Sequence, residues 1–198
     1  MIKLGVFILP PKSLERSIKN YKKKIKIRYG PQKYLSHPPH CTLCVLNISK
    51  KSLSNIKNKK FSISKSKKRY KIKDFDFFKN DPITKGNTLI LKVEKNHFLN
   101  ELQSEVLTNL NKYIWKIKKN YKNKTMNKNY KKFGYPFVGN NWVPHFTIAS
   151  LSKKINIKEI FENFKFLKKK NFNLRVNNVY LFEIKKNHHK LICIKKIL

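Results

Sequence analysis

Apolar residues change their spacing several times along the chain, and each change marks an element. Ile2 to Leu9 is almost continuously apolar and stops at Pro10-Pro11, the pattern of a buried strand. From Ser13 the spacing turns helical: Leu14, Ile18, Tyr21 and Ile25 lie three or four residues apart, Ser13 can cap the start, and the polar face is almost wholly Lys. A helix to about Ile27 is predicted, then a loop from Gly30 to Pro39. Thr42 to Ile48, Thr88 to Val93 and Phe146 to Leu151 predict strands. Between Ser49 and Ile63, Leu53 and Ile56 are too sparse for more than a weak helix. Strand-like pieces follow at Phe61 to Ser64 and Ile72 to Phe78, then a turn at Asn80-Asp81-Pro82. His97 to Ile117 keeps a helical period through Phe98, Leu102, Leu110 and Ile117, about six turns. Lys118 to Asn140, rich in Lys and Asn with Gly134, Pro136 and Gly139, predicts a long basic loop. Ile157 to Leu167 is helical in spacing, and Phe172 to Ile184 and Leu191 to Ile197 predict strands around a Lys-Asn-His-His turn. This order predicts an α+β fold, with residues 1–198 as one bilobal domain of two antiparallel sheets and helices outside.

Two of these strands open alike. Pro39-His40-Cys41-Thr42-Leu43 and Pro144-His145-Phe146-Thr147-Ile148 share a Pro, a His, a Thr two residues later and an aliphatic residue next, with Leu46 and Leu151 six after each His. An aromatic-Gly pair precedes each copy (Tyr29-Gly30, Phe133-Gly134) and a Ser-Lys-Lys triplet follows each (from Ser49 and Ser152), so the similarity is an internal repeat. On a strand, residues i and i+2 share a face, which sets His40 beside Thr42 and His145 beside Thr147. Copies facing each other across a cleft would gather two imidazoles and two hydroxyls in one small volume. That set suits a phosphodiester: one imidazole takes a proton from the attacking oxygen, the other gives one to the leaving oxygen, and the hydroxyls donate to the non-bridging oxygens. Such chemistry requires no metal.

The paired H-x-T motifs, each behind a proline, resemble those of the two-histidine (2H) phosphoesterase superfamily, which includes the RNA 2',3'-cyclic phosphodiesterases also called 2'-5' RNA ligases. Both copies of the H-x-[ST]-hydrophobic pattern are intact. The resemblance implies two pseudo-symmetric lobes, each an antiparallel sheet with helices on the outside, and an active cleft between them lined by the H-x-T strands. It implies a phosphoric diester hydrolase acting on RNA 2',3'-cyclic phosphate ends or cyclic nucleotides, with His40, Thr42, His145 and Thr147 as catalytic residues. Within the enzyme class the alternatives are a 2'-5' oligonucleotide phosphodiesterase or an RNA 3'-end processing nuclease. From another class, the alternative is a non-catalytic basic RNA-binding protein. The Lys-rich stretch after the first motif departs from the firmer helix the family leads one to expect.

Composition narrows the partner. The formal charge is +37, from 47 Lys and Arg against 10 Asp and Glu, and only Arg16, Arg28, Arg69 and Arg175 among the basic residues are Arg. An AT-rich coding bias explains some of the Lys but not the scarcity of acid, so the imbalance favours RNA or a nucleotide. With 40% hydrophobic residues, 14 Phe and 9 Tyr, disorder is excluded. Three cysteines make no disulfide framework, and no apolar run reaches the roughly 20 residues of a membrane helix. A cytoplasmic monomer with no cofactor and no membrane partner is the expectation.

Several residues near the motifs offer further chemistry. His37, His40, Cys41 and Cys44 are types zinc accepts, but on a strand Cys41 faces away from His40, and Cys44 lies on the far side from Cys41. No metal site is predicted, and the two Cys read as small buried hydrophobes. Tyr29, Tyr34, Tyr135 and Trp142 lie in the loops leading to the motifs and are candidates to bind substrate by stacking, with Lys33 as a phosphate contact. His97 is assigned to a helix start, and His188-His189 to a solvated turn.

Overall fold

The computed structural model describes residues 1–61, 69–81, 84–163, 173–185 and 189–197. In chain order the elements are β1 (Ile2–Ile8), α1 (Lys12–Tyr29), β2 (Cys41–Ile48), α2 (Ser52–Asn58), β3 (Arg69–Phe78), β4 (Asn87–Val93), α3 (His97–Leu110), α4 (Lys124–Phe133), β5 (His145–Leu151), α5 (Ile157–Asn163), β6 (Asn173–Arg175), β7 (Asn178–Ile184) and β8 (His189–Lys196). The strands join in the order β6-β3-β4-β5-β2-β1-β7-β8, all antiparallel. The sheet divides at its middle. Among the described residues β2 and β5 pair only at Cys41 and Phe146, whereas β1 pairs with β2 over seven residues, Ile2 to Ile8. Two four-stranded halves therefore splay apart from one shared point, the α+β, two-lobed architecture expected from the sequence.

Apolar side chains on one face of each half carry the core. Leu4, Val6, Leu46, Ile48, Val179 and Leu181 on one side, and Leu89, Leu91, Phe146 and Ile148 on the other, are essentially inaccessible. The helices cover that face. The α1 stripe Leu14, Ile18 and Ile25 is fully buried, and Tyr21 meets Phe75 of β3 edge-on at 5.6 Å. From α3, buried Gln103 reaches back to the other half, its Nε2 donating to the Leu43 carbonyl at 2.8 Å and to that of Phe137 at 2.9 Å. Each of these helices thus crosses to strands it does not adjoin in sequence.

Several expectations are corrected. α1 starts at Lys12 after Pro11 with no side-chain cap, so Ser13 is inside the helix, not its cap. α3 ends at Leu110, not Ile117: a short 3-10 turn follows, then Ile114 bridges Ile48 and the Trp115 N–H donates to the Asn47 carbonyl at 2.7 Å. The open edge of β2 recruits this segment, and tertiary pairing overrides the helical period. The basic loop at 118–140 contains α4, capped by the Asn123 side chain accepting from the Met126 N–H at 3.0 Å and stopped by Gly134 in the left-handed region (φ 63°). Gly134 is required there twice over, since a Cβ would meet Ile114 Cγ2 at 2.5 Å. The expected single strand from Phe172 to Ile184 is two, because the chain leaves β6 beside β3 and crosses to β7 beside β1. The strand piece at 61–64, the end of the helix at 164–167 and His188 lie wholly or largely outside the described residues. No described helix is long and apolar enough to cross a membrane.

Candidate active site

The two His-x-Thr segments flank the one strand pair that, among the described residues, joins the halves of the sheet. Residues directly opposite in an antiparallel ladder share a face, so Cys41 and Phe146 point together into the core, 2% and 0% exposed. One step outward along each strand, His40 has Thr147 across from it and Thr42 has His145. All four are half-buried and turn to the opposite, open face. The structure therefore brings the four repeat residues together, as a block of two imidazoles and two hydroxyls diagonal to each other.

Both imidazoles are oriented in the same way. His40 Nδ1 lies 2.9 Å from the Pro38 carbonyl and His145 Nδ1 lies 2.7 Å from that of Val143. A carbonyl only accepts, so each Nδ1 carries the proton and each Nε2 is left for chemistry. The intervening Pro39 and Pro144 fix φ near −65°, which holds the acceptor two residues back in register with the ring. Each ring also packs on a phenylalanine. His40 stacks on Phe7 with centroids 4.1 Å apart and planes at 28°, and Phe78 meets His145 edge-on at 4.9 Å. Trp142 ties the halves at this point, its Nε1 donating to the Thr42 carbonyl at 3.0 Å.

Surroundings distinguish the two histidines. Burial pushes the His40 pKa down to about 4; the Pro38 carbonyl works against that, while His189, His37 and Lys22 add to it. Burial also holds His145 below its ordinary value, but there the Val143 carbonyl and the Asp81 carboxylate both favour the proton. One imidazole thus sits near a buried ammonium and two further imidazoles, and the other near an anion. Lys22 is itself 5% exposed, with its ammonium donating to the carbonyls of Tyr34 at 2.5 Å and His37 at 2.9 Å, and burial lowers its pKa to about 8.

The family model of the 2'-5' RNA ligase superfamily matches residues 10–188. The chain belongs to that superfamily. Its members are 2H phosphoesterases and ligase-like enzymes. No curated protein is found to match the sequence. The fold is similar to TT0787 of Thermus thermophilus (TM-score 0.58, 13% identity, covering 99% of this chain and 98% of that one). It is also similar to a phosphoesterase (TM-score 0.53, 12% identity, 99% and 98% covered). A third similar structure is LigT of E. coli complexed with NADP+ (TM-score 0.53, 11% identity, 99% and 97% covered).

Around the four central residues, this superfamily member arranges the other sequence candidates unequally. Tyr34, in the left-handed region at φ 69°, sets its ring edge-on to His37 at 5.1 Å and so borders the His40 neighbourhood. Lys33 is held aside, its Nζ donating to the Thr84 carbonyl at 3.1 Å and its own carbonyl accepting from the Ser150 N–H at 2.9 Å. Tyr29 donates its hydroxyl to Glu159 at 3.2 Å, at the end of α1. Tyr135 lies within electrostatic reach of the core thiols of Cys44 and Cys41, and burial pushes its phenol up. Trp142 is 3% exposed and offers the core, not the cleft, its ring. Cys44 does not lie across the strand from Cys41: a bulge pairs Val6 with Cys44 but Phe7 with Thr42, so both thiols are buried on the core face. Among the described residues no group of three or more His, Cys, Asp or Glu is disposed to hold a metal ion.

Two neighbours of His40 were not legible as site residues. His189 is not a solvated turn residue. It starts β8, and its ring lies 5.7 Å from that of His40, 5.4 Å from that of His37 and 5.9 Å from that of Phe7. Phe7 itself reads in sequence as one more residue of a buried strand. Only the i, i+2 relation of Gly5 and Phe7 hints otherwise: a Cβ on Gly5 would sit 2.3 Å from Phe7 Cζ, so the glycine makes room for the ring on which His40 rests.

Proposed function

We propose that this protein is a metal-independent phosphodiesterase that hydrolyses RNA 2',3'-cyclic phosphate ends or related cyclic nucleotides. The observation that supports this best is the matched presentation of two Nε2 atoms beside two threonine hydroxyls at the β2–β5 pairing between the halves. A phosphate there would receive hydrogen bonds from Thr42 and Thr147 at its non-bridging oxygens, where negative charge grows in the transition state. His40, kept neutral by burial with help from His189, His37 and the Lys22 ammonium, accepts the proton of the attacking water at Nε2. The water oxygen bonds to phosphorus, the bond from phosphorus to one ribose oxygen breaks, and His145 Nε2–H protonates that oxygen. LigT has been crystallised with 3'-AMP, a nucleotide carrying a ribose phosphate, which is the class of molecule this reading calls for.

The deciding experiment offers the purified protein 2',3'-cyclic mononucleotides, 2'-5' oligoadenylate and 3'-5' RNA in the presence of EDTA. Turnover of the cyclic phosphates is expected. Cleavage of only the 2'-5' or 3'-5' polymer would move the assignment within the enzyme class, and salt-sensitive binding without hydrolysis of any would favour an RNA-binding module.

Gly5→Ala tests the floor of the site. The added methyl must displace the Phe7 ring, itself 2% exposed, and His40 with it. A shift of about 1 Å in a catalytic group costs on the order of 10²-fold, so kcat/KM is expected to fall roughly ten- to hundredfold while circular dichroism still reports a folded protein. Unchanged kinetics would show that Phe7 does not hold the base.

A further inference from the structure

We propose that the single-stranded RNA leading to the reacting end lies along the open face of β1 and β2 and stacks a base on Trp115, so that the protein prefers RNA ends to mononucleotides. This rests on the proposed phosphodiesterase reading for the place of the reacting end, and it extends that reading to a substrate class.

The face is defined by pairing. Phe7 is opposite Thr42, Gly5 opposite Val45 and Lys3 opposite Asn47, and since Phe7 carries the His40 ring, all of these look the same way as the imidazole. Beyond Asn47 the sheet continues into the recruited segment. Ile114 is opposite Ile48 and seats on Gly134 in the core direction, so Trp115, next along and bonded to Asn47, comes out on the open face. It is 61% exposed. From Phe7 to Lys3 is four residues of strand, about 13 Å at 3.3 Å each, or the length of about four stacked nucleotides.

What surrounds the indole selects the occupant. Residues 111–133 contain nine Lys and no Asp or Glu, and Lys3, opposite Asn47, stands at the end of the β1–β2 face nearest Trp115. A large exposed ring in a segment whose only charged side chains are cations fits a ligand that offers planar bases and phosphates together, which single-stranded RNA does. An apolar protein segment would bury Trp115 but leave the lysines without counter-charge.

The test uses the full chain, a 5'-fluorescein-labelled uridine octamer, the same octamer ending in a 2',3'-cyclic phosphate, and uridine 2',3'-cyclic phosphate. Trp115→Ala is expected to weaken octamer binding about tenfold by anisotropy, with the slope of log affinity against log salt unchanged because no phosphate contact is lost. It lowers kcat/KM for the cyclic octamer by a similar factor and leaves that for the mononucleotide unaltered. Trp115→Phe, which keeps a ring, restores most of the binding. The unlabelled octamer also quenches tryptophan emission in the native protein, since the other indole, Trp142, is 3% exposed. Equal octamer affinity in the native and alanine proteins, or no octamer binding at all, overturns the inference. Failure of the underlying reading looks different: neither cyclic substrate is hydrolysed, while the binding comparison still decides the role of Trp115.

Discussion

Replacing either His40 or His145 with alanine is expected to lower turnover of a 2',3'-cyclic nucleotide by a factor on the order of 10² or more, with the thermal transition little changed. Both rings are half-buried on the open face, and each gives up one bond to a carbonyl two residues away, so the fold loses little with them. The variants differ in what remains. On the proposed mechanism, kcat/KM of the native protein is expected to rise as pH climbs through about 4, where His40 would lose its proton and become a base. It falls again as pH climbs through the value of His145, below the ordinary 6.5 because burial disfavours the charged ring. The optimum therefore lies on the acid side of neutrality. Residual activity of His40→Ala lacks the acid limb, and that of His145→Ala lacks the alkaline limb. Asp81→Asn removes the carboxylate that favours a proton on His145, and shifts the alkaline limb alone to lower pH. Near-native turnover in either alanine variant would sink the mechanism, and exchanged limbs would reverse the two roles.

Lys22→Met should produce the largest combined loss of stability and activity outside the motifs. The ammonium holds the loop before His40 by two carbonyls, in a chain with too few carboxylates to partner its cations. Methionine fills the space but leaves both carbonyls without their donor, at about 1–3 kcal/mol each. For a chain of this length the two together are roughly 4–24 °C in the melting temperature. Because the same loop carries Pro38, the acceptor that orients His40, a fall of about tenfold or more in kcat/KM accompanies the loss. A purely structural role would stop there. Lys22 also lowers the His40 pKa, so its removal shifts the acid limb upward and leaves the alkaline limb in place. Lys195→Met is the control. That lysine is also buried and bonds two carbonyls, of Lys57 and Lys59 at 2.6 Å each, but on the core face behind β8, and its loss lowers stability without moving either limb.

Both variants show where information about the site resides. The four repeat residues were legible because they are local: a two-residue period on a strand sets His beside Thr, and the duplication names the same geometry twice. Strands β1, β2, β4 and β5, and helices α1 and α3 over most of their length, were legible for the same reason, since a continuous apolar run or a 3.6-residue stripe is a property of neighbouring residues. α4 was not, because its apolar positions, Met126, Tyr130 and Phe133, are thinly spread among Lys and Asn of weak helix preference, and its existence depends on caps at both ends.

The amino-acid sequence alone determined the chemistry on offer: two imidazoles, two hydroxyls, an excess of cations and the strands to carry them. Which groups stand around them was decided by the tertiary structure. Antiparallel pairing between residues more than a hundred positions apart brings Phe146 to Cys41, and a strand at the far end of the chain brings His189 to His40. Such pairings follow from how the whole sheet buries its apolar face, a quantity summed over the eight described strands, so no window of the sequence contains them. The same holds for the unequal electrostatics of His40 and His145, whose local motifs are nearly identical. Burial and distant charges, Lys22 and His189 at one ring and Asp81 at the other, set the proton affinities, and only folding fixes those distances.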